Sequence, residues 1–409
     1  MRILLTLLSL TCLGILTVAA DAQNSSIGPA AFGMHEHNLA VNGWPKVPFG
    51  SFRIVGDQVP NVSWADIEPS RGHYDWSKLD TLINRITPHN VDIVYTFWKV
   101  PRWASSRPED SCGKGDAGEC YPPVNPRDWQ DFVTAITSRY RGRIKYWEVW
   151  NEPNANNFWS ATAAQMVTMA SEVYPIIRAS GGIVVSPCPQ GTSADRWMKS
   201  YLDAGGGDYS DIIAFHGYLG ASNLDNIESA HGGLVTRMMN VMANREQASK
   251  ELWDTEHSWG RNADYPDQDL QASWLARHEI LGFALGVRRS FWYAWSDATI
   301  GTLYDKVKHV VLPAGTAYGV VYEWLNRATF ASPCSASGAV WTCELTLGDG
   351  SPAQVIWDAS KTCSSGRCTT SGRSVSPRWT AYRDIAGETH PITGHSVPLG
   401  IKPILLTGR

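Results

Sequence analysis

Residues 144–154 read Ile-Lys-Tyr-Trp-Glu148-Val-Trp-Asn151-Glu152-Pro153-Asn154. The first part is apolar and aromatic, in the manner of a buried strand, and the proline disfavours helix for the residue before it. The stretch therefore reads as a strand, Ile144–Trp150, ending in a polar corner. Runs of the same kind recur at Ala31–Met34, Ser51–Val55, Val91–Phe97, Gly182–Ser186, Ile212–His216, Glu251–Thr255 and Ser290–Ala294. Between several of them lie segments of helical periodicity: Trp76–Ile86, Pro126–Tyr140, Ala163–Ala179, Ile227–Ala248 and Asp269–Leu285. Strand alternating with helix argues for a parallel sheet with helical crossovers. Eight such strands within residues 28–308 fit a closed (β/α)8 TIM barrel, fold class α/β, better than an open doubly wound sheet. No phosphate-cradling glycine motif follows an early strand.

The rest of the chain has a different character. Within residues 310–409, the runs Val340–Leu347, Ala353–Asp358, Thr380–Asp384 and Ile401–Leu406 are short and separated by Gly, Ser and Pro. They predict a small, sandwich-like all-β accessory domain, with residues 23–30 available to complete its sheet. At the other end, Arg2 precedes a long apolar run and then Ala20-Asp21-Ala22. Residues 1–22 read as a signal peptide, so the protein is expected to be secreted or periplasmic. Export permits disulfides. Six cysteines form local pairs, Cys112/Cys120, Cys334/Cys343 and Cys363/Cys368, and Cys188 stands single. With no C-x-x-C pair and no His/Cys cluster at metal spacing, neither metal nor cofactor is expected. A net charge of −4 over 409 residues gives no case for nucleic acid as a partner. A monomer is the default expectation.

Two observations point toward carbohydrate. Nineteen tryptophans is a high count, and many sit beside polar residues. Half of them are expected as core. The others suit flat walls for the C–H face of a sugar ring, with Trp103 and Trp159 as rim candidates. The second observation is a pair of acids. Glu152 follows the fourth strand and Glu256 the seventh, in Asp254-Thr-Glu256-His-Ser-Trp259. In a parallel barrel the carboxyl ends of all strands open on one face, so acids 104 positions apart can meet across one cleft. Paired carboxylates suit glycosidic chemistry: one donates a proton to the leaving oxygen, and the other attacks or stabilises the sugar cation. The nearby Asp254 is expected to face away from Glu256.

Neighbouring residues extend this reading. Asn151 offers an amide for a sugar 2-hydroxyl, and Arg53 a cation to hold a carboxylate ionised. His216 and Tyr218, in Phe-His-Gly-Tyr, end the sixth strand and can hydrogen-bond the nucleophile. Trp292 or Trp295 is expected to floor the site. Trp98 and Lys99 close the third strand as sugar contacts. His35, Glu36 and His37 close the first as a subsite wall. Glu68 is expected to brace the barrel.

Taken as a set, Asn-Glu-Pro at strand four, Thr-Glu-His at strand seven, Phe-His-Gly-Tyr at strand six and the aromatic eighth strand resemble the clan A retaining glycoside hydrolases. Trp64-Ala-Asp-Ile-Glu68-Pro-Ser-Arg-Gly72-His-Tyr74-Asp75-Trp76 is similar to the segment after strand two in family 39 and its relatives. That resemblance implies Glu152 as acid/base and Glu256 as nucleophile in a double displacement, with an oligo- or polysaccharide as partner. Endo action is the leading expectation. An exo-acting, xylosidase-like β-glycosidase, a transglycosylase and a non-catalytic sugar-binding barrel stay open. The sugar and the linkage are not readable.

Overall fold

A computed structural model describes residues 25–56, 61–113 and 115–408. The signal-peptide reading of residues 1–22 lies outside them. Eight parallel strands form the barrel: β1 (Phe32–Met34), β2 (Ser51–Val55), β3 (Asp92–Thr96), β4 (Tyr146–Glu148), β5 (Ile183–Val185), β6 (Ile213–His216), β7 (Leu252–His257) and β8 (Val287–Trp292). They pair in the order β5-β4-β3-β2-β1-β8-β7-β6. The ring closes between β5 and β6 through a Val185–Ile212 bridge, with the Ser186 N–H donating to Ile212 O at 2.9 Å. The TIM barrel expected from the alternation is the fold observed.

A long helix follows each strand from β2 onward: α1 (Ser77–Ile86), α2 (Pro126–Arg139), α3 (Ala163–Ala179), α4 (Ala194–Asp203), α5 (Ile227–Ala243), α6 (Gln268–Ala284) and α7 (Pro313–Leu325). Most obey an apolar stripe; in α1 the buried positions are Leu79, Leu82, Ile83 and Ile86. Two helices were not foreseen. α4 has under three turns of periodicity to read. α7 is rich in Gly, Val and aromatic residues, so its local sequence looks strand-like. Burial against α6 outweighs that propensity, with Pro313 preorganising its first turn. It falls within the stretch 310–409 read as all-β, and the C-terminal sheet begins only after it, at Thr329–Phe330. α6 is buried at every position from Gln271 to Ala284. The barrel, α7 and the C-terminal sheet cover it from different sides, and a helix buried all round has no polar face for the periodicity to mark.

The barrel interior is layered. Val94, Trp253, Phe291, Ala214 and Val185 fill its middle. Gly33 of β1 lies there because a Cβ would overlap the Phe291 ring. At the amino end of the strands, Arg289 donates to Ser51 Oγ, Asp92 Oδ2 and Tyr146 Oη, each at 2.7 Å, and lies over the Tyr146 and Trp253 rings.

The C-terminal region is an antiparallel sheet in the order Thr329–Phe330, Val340–Thr346, Pro352–Asp358, Ile404–Gly408, Trp379–Asp384, Thr389–Pro391. One face, with Leu345, Val355 and Trp357, joins the core around α6 and α7. The other face is covered by the ribbon Ser371–Ser374/Ser396–Leu399. Trp357 Nε1 donates to Glu228 Oε1 of α5 at 2.7 Å, which also accepts from Arg277 of α6 at 2.8 Å. Ile27 exchanges backbone hydrogen bonds with Arg327 and Ala328, tying the leading segment to the start of this sheet. The disulfides Cys112–Cys120, Cys334–Cys343 and Cys363–Cys368 are formed as their locality predicted, and Cys188 is free and buried. Among the described residues no helix is long and apolar enough to cross a membrane.

Candidate active site

Groups from β4, from the segments after β4 and β5, and from β7 meet at one buried cation, Arg53 of β2. Arg53 Nε donates to Glu148 Oε2 at 2.8 Å, Nη1 to Glu256 Oε2 at 2.8 Å, and Nη2 to Asn151 Oδ1 at 2.9 Å. Cys188 Sγ lies 3.4 Å from Nη2. Glu148 also accepts from Thr96 Oγ1 at 2.7 Å. Burial alone would raise the Glu148 carboxyl, but Arg53 overrides it and holds the group below its ordinary value. Glu148 is thus the guanidinium's partner, one layer below the cleft.

Glu152 reaches the rim by an extension of β4. Asn151 bridges Cys188, Gln190 bridges His216, and the Glu152 N–H donates to Cys188 O at 3.2 Å. Asn154 and Gln190 clasp each other through two hydrogen bonds of 2.8 Å. These links carry the Asn-Glu-Pro-Asn corner sideways to β6. Glu152 takes φ +41°, a left-handed conformation unusual for a residue with a side chain. There its Oε1 lies 2.9 Å from His216 Nδ1. Burial, with Arg53 adding to it, lowers His216 to about 4, so the imidazole facing Glu152 is neutral near pH 7. Tyr218 Oη donates to Glu256 Oε1 at 2.9 Å, and Arg53 to its Oε2. Two donors on two oxygens suit an ionised carboxylate. Glu152, His216 and Glu256 each place one polar atom within 4.8 Å of the others. The guanidinium of Arg53 already supplies the positive charge that a metal ion would bring beside Glu256.

Glu256 lies inside β7, not beyond its end, and a register shift interrupts the ladder between Asp254 and His257. Strict alternation would set Asp254 and Glu256 on one face. The bulge turns them apart: Glu256 faces Arg53 inside, and Asp254 faces His257 and His278 on the helix side.

A family model described as the glycosyl hydrolase catalytic core matches residues 73–318, more than half of the chain. The chain belongs to this family. Among curated proteins, a beta-xylosidase of Geobacillus stearothermophilus is 24% identical over 144 residues, 32% of this chain and 27% of that protein. The chain therefore matches about a quarter of that relative's length. Among solved structures, a GH30 endoxylanase from Clostridium papyrosolvens C71 superposes with TM-score 0.61 at 12% identity, covering 95% of this chain and 98% of that one. SrfJ from Salmonella typhimurium gives TM-score 0.59 at 14% identity over 98% of this chain and 85% of that one. At these identities the likeness is one of fold.

Within this hydrolase core, several residues expected at the site lie elsewhere. Trp292 points outward from β8, packed on His257, Trp259 and Trp274, with Nε1 donating to Gly301 O at 2.7 Å. Trp295 is fully buried and stacks on Tyr304. Neither offers a free face. The pleat of β8 brings Phe291 and then Tyr293 inward, and Tyr293 lies beside His35, His37 and Tyr218. Tyr293 was missed because sequence alone did not say which parity of β8 faces the axis. Glu36 does not face a sugar: it accepts from Asn38 N, Asn42 Nδ2 and Ser296 Oγ, bracing the loop after β1 against the loop after β8. His35 Nε2 donates to Thr255 O at 3.1 Å, and burial, with Arg53 adding to it, pushes its pKa down.

Trp98 is buried against Phe158, its Nε1 without a partner among the described residues, and Lys99 sits over its ring. Trp159 is buried with Nε1 donating to Thr162 O, so it is core and not rim. Trp103 is partly exposed and lines a cleft of about 850 Å³ with Pro69, Pro101, Ser105 and Glu119. The Cys112–Cys120 staple and a Lys99–Glu119 ion pair at 3.2 Å hold that loop. Glu68 accepts from Trp64 Nε1 and Gly72 N–H at 2.8 Å each, the brace expected of it.

Proposed function

We propose that this chain is an exported, cofactor-independent retaining glycoside hydrolase of clan A that cleaves β-linked, xylose-containing oligo- or polysaccharides. Glu152 protonates the glycosidic oxygen while Glu256 attacks the anomeric carbon. A covalent glycosyl-enzyme forms, and Glu152, now ionised, deprotonates the water that hydrolyses it. The observation that carries this reading is the separation of the two acids. One oxygen of each lies within 4.8 Å of the other. Nearest oxygens this close favour the roughly 5–5.5 Å carboxyl separation of a nucleophile and its acid partner over the roughly 6.5–9.5 Å by which an inverting pair admits a water. Their unlike surroundings support the division of roles, a neutral imidazole facing Glu152 and two donors facing Glu256. Asn151, held by Arg53, is the group for the sugar 2-hydroxyl.

Xylose enters the reading through the beta-xylosidase and endoxylanase similarities. The three disulfides favour export. The test is an assay of the purified chain on 4-nitrophenyl β-xyloside and on xylan, with the first-formed anomer read by proton NMR. A β-anomer released first is expected. An α-anomer would remove the double displacement, and no turnover on any β-glycoside would remove the enzyme reading. Mid-chain products from xylan mark endo action, and single xylose units mark exo action.

A further inference from the structure

Behind β7, on the helix side, lies a second polar cluster that none of the reaction steps uses. Asp254 and His257 of β7, His231 of α5, and His278 and Glu279 of α6 are all buried to 1% exposure or less. They come from three elements and share no motif spacing. His257 Nδ1 lies 3.5 Å from Asp254 Oδ2, and its Nε2 lies 3.0 Å from Glu279 Oε1. The rings of His257 and His278 stack at 4.0 Å and 10°, and those of His278 and His231 at 3.7 Å and 32°. Ligands of one metal ion aim their nitrogens at a common point in the ring planes. The nearly parallel His257 and His278 rings cannot do so, and His231 leans onto the same stack at a tilt.

The stack supports one carboxylate with a particular reach. Asp254 Oδ1 accepts from the Gly217 N–H at 2.9 Å. A Cβ on Gly217 would collide with Asp254 Oδ2, so glycine is the residue that fits between them. Gly217 stands between His216, which contacts Glu152, and Tyr218, which donates to Glu256. A single residue thus joins the side chains that hold both acids.

We propose that Asp254, braced by His257 and Glu279, is a positioning residue: by fixing the Gly217 peptide from outside the barrel it sets the spacing of Glu152 and Glu256 inside it. The assignment rests on those two acids being the reacting pair. The charge pattern fits. Burial alone would lower His257, but the flanking Asp254 and Glu279 hold it up at about 9, a cation between two carboxylates. His278 and His231, which face it from α6 and α5, are pushed down by burial and stay neutral. Trp292 of β8 meets it edge-on, and Tyr318 of α7 lies near Glu279.

The test compares the full chain with Asp254→Ala and Asp254→Asn. In the crystal structure of Asp254→Ala, the Gly217 peptide should rotate and the Tyr218–Glu256 hydrogen bond should open. Asp254→Asn keeps an acceptor and should hold both. With 4-nitrophenyl β-xyloside, kcat of Asp254→Ala should fall about a hundredfold, the effect of misplacing reacting groups by about 1 Å, with KM within about twofold. In Asp254→Asn, which keeps an acceptor for the Gly217 N–H, kcat should stay within a few-fold of the unsubstituted enzyme. Unmoved His216, Gly217 and Tyr218 in the Asp254→Ala crystal, or a kcat loss in Asp254→Asn as large as in Asp254→Ala, overturns the proposal. If the unsubstituted chain cleaves no β-glycoside, the functional reading fails instead, and the crystallographic comparison still decides whether Asp254 positions the two side chains.

Discussion

The barrel encloses two buried arginines, one at each end, and they are put to opposite uses. Arg289 at the amino end has one carboxylate partner, Asp92, two hydroxyl acceptors and two aromatic faces. Its charge is matched and walled in, and the result is a plug. Arg53 at the carboxyl end is shared among Glu148, Glu256 and Asn151. Glu148 neutralises it from below, which leaves the guanidinium to orient an acid and an amide at the cleft. The same residue type, in the same barrel, plugs the base or orients groups at the cleft according to where its acceptors lie.

The largest effect that would break this contrast is loss of the acids themselves. Glu256→Ala should lower kcat on the order of 10⁴-fold with the fold intact by circular dichroism, whereas Asp92→Ala at the base should lower melting temperature and leave kcat within a few-fold. Substantial turnover by Glu256→Ala would move the nucleophile elsewhere. Next come the arginines. Arg53→Met leaves Glu148 buried and unpaired and should cost about 3–5 kcal/mol in denaturant unfolding as well as most activity. Arg289→Met should destabilise less, because Asp92 is partly exposed, and should spare kcat. Equal kinetic losses for the two would erase the distinction.

A pH series sharpens it further. His216 titrates near 4 in the native state against roughly 6.5 unfolded. Between those values the unfolded chain holds the extra proton, so stability should fall by at most about 1.4 kcal/mol per unit as pH drops from 6.5 to 4. His257 has the opposite sign. Its folded value near 9 lies above the unfolded one, so its stabilisation is full below about 6.5 and is lost as pH rises through 9. Thermal melts of His216→Asn and His257→Asn should flatten the acid and alkaline sides respectively; a swap of those sides would reverse the assignment. The smallest effect belongs to the rim. Cys112→Ser with Cys120→Ser should lower stability by about 2–3 kcal/mol in the loop, seen by hydrogen exchange, with kcat unchanged. A kcat loss as large as that of Arg53→Met would mean the catalytic end depends on its rim.

Much of this was legible in the chain. Glu152 and Glu256 were readable because parallel strands share one open face, and Arg53, Asn151, His216 and Tyr218 because each lies in a neighbouring strand or just past its end. The tryptophans were misread. Trp98, Trp159, Trp292 and Trp295 are at most 2% exposed. A tryptophan beside polar residues in sequence is not thereby at the surface, since its neighbours along a strand point the other way.

Sequence by itself determined the alternation of strand and helix, the change of character toward the C-terminus, the local disulfides and the two acids, because these rest on periodicity, composition and short-range spacing. Tertiary structure alone decided the rest. The β7 bulge parted Asp254 from Glu256, the parity of β8 chose Tyr293 over Trp292, and three separate elements gathered the histidine stack. Each of these depends on which side of a strand meets which neighbour, a choice made by packing across the barrel wall, which no local pattern encodes.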